Sequence, residues 1–226
     1  MKTNDQFDYA IYSSLLDAYL RFKRTDDDET FSAVFDKING VKSEQTEQQA
    51  KGVAFESLVN DLIDGHSVYN NSAPYIRDSF SFKAELVEKI AAKLGKCKGK
   101  QQYISTIIDT RIGRIKLYGI IDFEFDDMDV DLKSTGNYKL NKYIDSKEIK
   151  HTQHLVYPLI RKQTGKPVKA FKYVISDFEN DFQETYLPNE NMEFKLMQII
   201  YEFIAFINHY KANITDMKVF GGREVA

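Results

Sequence analysis

The chain has 226 residues, 42% apolar and 29% charged, the proportions of one soluble globular domain. It has no apolar run near a membrane span, no secretory core in MKTNDQFDYA and one cysteine, Cys97, which excludes membrane insertion, disulfide scaffolds, multi-cysteine zinc sites and four-cysteine iron–sulfur clusters and makes the cytoplasm the expected compartment. A net charge of −3 argues against a basic coat over the whole chain but is silent on a local nucleic-acid site.

Residues 6–24 place Ile11, Leu15, Tyr19 and Phe22 at helical spacing. Asp26–Glu29 opens a second short helix carrying Phe31, Val34 and Phe35, and acids in a first turn suit the helix dipole. The clearest amphipathic helix spans 44–64, with Val53, Phe55, Leu58, Val59 and Leu62 inward and Gly65 as its stop. Another helix is expected at 82–94. β-Branched and aromatic runs at 101–109 and 114–125, parted by a turn at Gly113, lead into a third strand at 129–134. Neighbours in this meander should pair antiparallel. Residues 146–164 read as a helix kinked by Pro158, 168–176 as a strand and 184–187 as a short one. A long helix from about 190 to 211 has Phe194, Met197, Ile200, Ile204 and Ile207 on its inner face. This order predicts an α/β sandwich on a mixed sheet, with residues 1–43 a helical extension packed on a core domain of 44–226.

The chemistry concentrates in the meander. Asp122 ends an apolar strand, and Asp131 and Lys133 share one face of the next while Val130 and Leu132 face the core. A hairpin would bring Asp122 beside Asp131. Clustered carboxylates repel unless something positive sits between them, and a hard divalent cation such as Mg²⁺ or Mn²⁺ fits oxygen ligands. Acid-x-Lys also occurs at Asp145–Lys147, Glu148–Lys150, Glu193–Lys195 and Asp216–Lys218, but only Asp131–Lys133 lies in a strand with an acid delivered at hairpin distance. An ordinary cross-strand ion pair on a solvated hairpin is the alternative reading. Glu56 follows Gly52 on the amphipathic helix, and Gln153 and Tyr157 would share one helix face. A solvated helix acid and a helix-surface pair are the plainer readings of these.

The ordered series GVAFE, YGIID, DLKST and QHLVY, spanning residues 52–157, resembles the PD-(D/E)XK nuclease superfamily, in particular its RecB-like and lambda-exonuclease-like branch. The resemblance implies a restriction-endonuclease-like core and hydrolysis of DNA phosphodiester bonds, as an exonuclease in recombination, repair or phage DNA processing. It implies Asp122, Asp131 and the Leu132 carbonyl as metal ligands, with Glu56 reaching a second ion directly or through water. Two Mg²⁺ or Mn²⁺ ions would activate water and stabilise the leaving oxygen. Lys133 would position the attacking water and offset developing charge. Gln153 and Tyr157 would orient active-site groups or contact the backbone of the nucleic acid, and Ser134 and Thr135 would steady the strand end or a phosphate. No helicase phosphate loop is present, so a helicase, like a single-strand annealing protein, would be a separate partner chain; homo-oligomers occur among such relatives. A non-catalytic DNA-binding or assembly subunit and a restriction or defence endonuclease are the alternatives on the same fold.

Around this centre, Asp126 and Asp127 read as turn residues, and Asp129 has the strand parity to approach the metals. A calcium loop fails for want of its glycine and flanking helices. Lys96 and Lys98 in KLGKCKGKQQ form the best basic patch for a phosphate backbone, with a solvated loop as the plainer reading. Lys139 and Lys142, between Tyr138 and Tyr143, mix charge and rings where a DNA strand would pass. His151 and His154 read as helix-surface residues.

Overall fold

The computed structural model describes residues 6–66, 74–136 and 150–221. In chain order it forms β1 (Tyr9–Tyr12), α1 (Ser13–Thr25), α2 (Asp28–Ile38), α3 (Glu47–Ile63), β2 (Tyr75–Arg77), β3 (Phe80–Phe82), α4 (Ala84–Leu94), β4 (Gly99–Thr110), β5 (Gly113–Glu124) and β6 (Met128–Ser134). Then come α5 (Gln153–Gln163), β7 (Ala170–Ser176), β8 (Asp181–Tyr186), α6 (Glu190–His209) and two 3-10 turns, Lys211–Asn213 and Met217–Phe220.

Local chemistry sets the helix starts. Asp27 caps α2 by accepting the Thr30 N–H at 2.7 Å. Thr46 and Gln49 form a reciprocal capping box at the head of α3. The expected helices at 44–64 and 82–94 and the three-strand meander are present as α3, α4 and β4–β6, with both meander pairs antiparallel.

The sheet is mixed, as expected. β5 is its organising strand. β4 pairs along the whole length of β5, so β1 and β6 must share its other edge. β1 runs parallel beside Ile115–Tyr118, and β6 pairs antiparallel only at Phe123 and Glu124. Past those two pairs β6 leaves β5 for β7, which it follows in parallel from Met128 to Ser134. Residues 119–122 of β5 therefore face a gap between two neighbours.

Helices cover both faces. One core joins Leu15, Tyr19, Val34, Leu117, Ile160, Phe171, Ile200 and Phe203 from α1, α2, α5, α6 and the sheet. The other joins Phe55, Leu58, Val87, Ile90, Phe123, Val130 and Leu132 beneath α3 and α4. Ile121 belongs to the first core and Phe123 to the second, so Asp122 sits where β5 passes from one to the other.

Several expectations are corrected. Tyr9–Tyr12 is a strand rather than the first turn of a helix, because a partner a hundred residues away overrides four residues of helical spacing. The segment expected as a helical extension holds α1 and α2 and also β1, which joins the sheet. The β2–β3 hairpin was not expected; its turn residues Asp78 and Ser79 both have positive φ, the geometry of a primed two-residue turn, without the usual glycine. The helix expected from 146 begins only at Gln153 among the described residues, and it continues through Pro158. Val53 and Phe194, expected inward, are 57% and 66% exposed; Ala54 in α3 and Leu196, Ile199 and Phe203 in α6 are buried instead.

Candidate active site

The gap beside β5 is closed by side chains. Where β6 leaves β5, the Leu132 N–H donates to Asp122 Oδ2 at 3.2 Å, a carboxylate replacing a main-chain partner. Asp122 Oδ1 accepts from Gln101 Nε2 at 3.3 Å, and Gln101 has a φ of +51° within β4. Asp131 is buried. Its Oδ1 accepts from Gln153 Nε2 at 2.5 Å, and its Oδ2 lies 2.7 Å from Lys133 Nζ. Asp122, Asp131, Lys133 and Gln153 are thus brought together, and Glu56 on α3 is close enough to feel Asp122 and Lys133. The cleft between α3 and the end of β6 is lined by Gln48, Gly52, Glu56, Leu132, Lys133 and Ser134.

Burial dominates the electrostatics. It pushes the Asp131 carboxyl up to about 7, with Lys133 opposing and Asp122 reinforcing the rise. Burial likewise raises Asp122, against the pull of Lys133 and the Leu132 N–H. Glu56 rises through burial and the Asp122 charge. For Lys133, burial acts against the ammonium, but Asp131 and Asp122 outweigh it and hold the group above its ordinary value. All three carboxyls are raised chiefly by their burial, and Lys133 is the cation that opposes the rise in each.

Among the described residues no three His, Cys, Asp or Glu side chains converge as a closed metal cage. Magnesium does not require one, since it is commonly held by one or two carboxylates and keeps positions for water and phosphate oxygen. Gln153 Oε1 is buried with no hydrogen-bond partner, and the buried Asp131 Oδ2 has Lys133 Nζ as its neighbour at 2.7 Å. Two neighbouring carboxylates and a buried amide oxygen without a partner are the all-oxygen donor set that a hard divalent cation takes.

Two motif glycines have steric reasons. A Cβ at Gly52 would lie 2.4 Å from Ser134 Oγ, and one at Gly119 2.4 Å from Cε1 of the Tyr157 ring. The glycine on α3 lets that helix approach the end of β6, and the glycine on β5 lets α5 settle on the sheet. Tyr157 is itself buried, its hydroxyl 3.5 Å from Ser13 Oγ and hydrogen-bonded to the Gln153 side chain, and its ring is edge-on to Phe171.

α5 is held from α1. Asp17 accepts from Thr152 N at 2.7 Å and Thr152 Oγ1 at 2.8 Å, and the same hydroxyl reaches the Ser13 carbonyl at 2.9 Å. A helix N-terminus prefers such a carboxylate, and here it comes from another helix. This sets the position from which Gln153 reaches Asp131. Asp17, Thr152, Ser13 and Gln101 carry no sequence signal; only the fold brings them here.

Other expected residues lie elsewhere. Asp129 does not join the carboxylate pair: it is buried in a bidentate contact with Arg161, whose Nε and Nη2 stand 3.0 and 2.8 Å from its oxygens, and Glu124 shares the guanidinium. Ser134 packs against Gly52 at the cleft, while the Thr135 N–H donates to the Ser176 carbonyl at 2.9 Å. Lys98 pairs with Asp126 in the β5–β6 turn, and Lys96 lines a separate groove with Phe125, Met128 and Lys172. Lys139 and Lys142 lie outside the described residues. His154 is not a surface residue: it is buried, stacked on Tyr186 at 4.0 Å with Nδ1 3.1 Å from the Tyr173 hydroxyl. His151 precedes α5, its ring nitrogen 3.6 Å from Asp17.

No family model and no curated protein matches this chain. Among solved structures, a proposed exonuclease of Eubacterium rectale is similar over 80% of this chain and 74% of its own, at 13% identity and a TM-score of 0.48. The protein SSO0001 is similar over 88% of this chain and 76% of its own, at 10% identity and a TM-score of 0.48. Rai1 of Scheffersomyces stipitis is similar over 83% of this chain and 54% of its own, at 12% identity and a TM-score of 0.33. The chain is a mixed α/β protein whose sheet carries helices on both faces and whose acidic cluster lies where two strands part.

Proposed function

We propose that the protein is a divalent-metal-dependent nuclease that hydrolyses DNA phosphodiester bonds, in the manner of recombination and repair exonucleases. The observation that carries this reading is the convergence of Asp122, Asp131, Lys133 and Gln153 at the parting of β5 and β6, with Glu56 across the cleft. Asp122, Asp131 and the Leu132 carbonyl would hold one Mg²⁺ or Mn²⁺, and Glu56 would approach a second. Such ions, when bound, supply Lewis-acid stabilisation of charge on the phosphate oxygens.

The chain's own groups do the rest. Lys133 lines the cleft as a retained cation, placed to orient a water and offset negative charge growing on phosphorus. Gln153 fixes one oxygen of Asp131 and leaves the other turned towards Lys133. Gln101 and the Leu132 N–H fix Asp122 in the same way. Both carboxylates are therefore oriented before substrate arrives, which lowers the reorganisation needed during reaction.

The test is cleavage of linear, circular and single-stranded DNA with Mg²⁺ or Mn²⁺. Wild type should cut and Asp131→Asn and Lys133→Ala should lose activity by at least about a hundredfold, the usual scale for removing an electrostatic stabiliser. Activity equal to these variants, or unaffected by chelator, refutes the reading. Cutting of closed circles would favour the endonuclease alternative.

A further inference from the structure

The outward faces of β4 and β5 carry a second feature that leads into the acidic cluster. Ile115 and Leu117 point into the first core, so Tyr118 and Ile120 point away from it. Tyr103 on β4 is the direct cross-strand neighbour of Ile120, and the two are 58% and 47% exposed. The Tyr103 and Tyr118 rings are 6.4 Å apart, and Tyr12 of β1 stands 5.3 Å from Tyr118 on its other side. Lys116 Nζ lies 5.9 Å from the Tyr118 ring centroid. The ridge ends at Asp122, two residues beyond Ile120 on β5. Gln101, two residues before Tyr103, hydrogen-bonds that same carboxylate.

We propose that this ridge is a stacking platform for an unpaired DNA strand, delivering its backbone to Asp122. Tyr103 is exposed and Tyr118 and Tyr12 beside it are half-buried; an exposed ring on a sheet is solvated at a cost, whereas every nucleobase offers a π face irrespective of sequence. Bases held in a duplex are already stacked on each other and cannot lie on tyrosines. Lys116 beside the rings supplies a cation for a phosphate. Continuity with the carboxylates selects this occupant over a protein partner, because a strand lying across Tyr118 and Tyr103 has its next phosphates at Asp122. The ligand's identity rests on the nuclease reading, but its binding can be measured without turnover.

The experiment is fluorescence anisotropy of the full chain with labelled oligo(dT) and with a blunt duplex, in chelator so that nothing is cut. Wild type should prefer the single strand. Tyr103→Ala should weaken that binding about tenfold and Tyr103→Trp should retain it, as expected for the loss and rescue of one stacked base. Because Tyr103 is exposed, both variants should melt with wild type. A duplex preference, equal affinity of Tyr103→Ala and wild type, or a change of oligomeric state in Tyr103→Ala that marks the ridge as a self-association surface, each overturns the platform. Tyr103-dependent binding without metal-dependent cleavage leaves the platform standing and sinks the nuclease reading. Cleavage that is indifferent to Tyr103 does the reverse.

Discussion

Replacing Gly119 by alanine tests how α5 is seated on the sheet. The added methyl would stand 2.4 Å from Cε1 of Tyr157 and 2.9 Å from its Cζ and hydroxyl oxygen, well inside van der Waals contact. The ring has little room to yield. It is buried, edge-on to Phe171 at 5.8 Å, and its helix is tied to α1 through Asp17 and Thr152. Overpacking of this kind costs about 1–3 kcal/mol, which for a domain this size lowers the melting temperature by roughly 2–12 °C. Tyr157→Ala alone costs about 3–5 kcal/mol as a cavity mutation, but it removes the ring atoms that the new methyl would strike. Denaturant unfolding of wild type, both single variants and the double variant closes the cycle. Gly119→Ala should cost almost nothing in the Tyr157→Ala background, a coupling of about 1–3 kcal/mol. Additivity within about 0.5 kcal/mol would refute the account of Gly119 as a clearance for Tyr157.

Three further perturbations follow from the buried charges. Asp131 titrates near 7 when folded and near the ordinary 3.8 when unfolded, so its stabilising contribution is complete at low pH and lost as pH rises towards and through about 7. Metal-free wild type should therefore lose stability over that window while Asp131→Asn does not, and Mn²⁺ at alkaline pH should raise the melting temperature of wild type alone. His154 behaves oppositely: burial pushes it down to about 3, the unfolded chain protonates first, and stability falls as pH drops from about 6.5 towards 3. His154→Phe should flatten that acid limb, and an unchanged limb would assign it to other groups. Arg161→Met strands Asp129 and half-buried Glu124 without their cation, and should destabilise by about 3–5 kcal/mol in urea titration, whereas a loss below about 1 kcal/mol would mean that water replaces the guanidinium.

Much of the fold was legible because it is encoded locally. The apolar stripe and the stop at Gly65 announce α3, β-branched runs announce β4 and β5, and the alternation of Asp131 and Lys133 with Val130 and Leu132 states which side chains share a face. β1 was hidden because Tyr-Ala-Ile-Tyr has no local reason to extend; its pairing with Ile115–Tyr118 supplies one. Asp129 had the same parity as Asp131, and alternation alone could not say that Arg161 on α5, 32 residues further on, claims it.

The single cysteine and the order of four short motifs are determined by the sequence alone, and with them the types of residue available for chemistry. What tertiary structure decided is which of those residues meet. β6 abandons β5 after two pairs, so Asp122 must satisfy a backbone N–H and comes to rest beside Asp131. Asp17 holds the start of α5, so Gln153 reaches the same carboxylate. A strand period fixes the direction of a side chain along its own chain, but the distance to a side chain on another element depends on how the layers pack, and that is a property of the whole core.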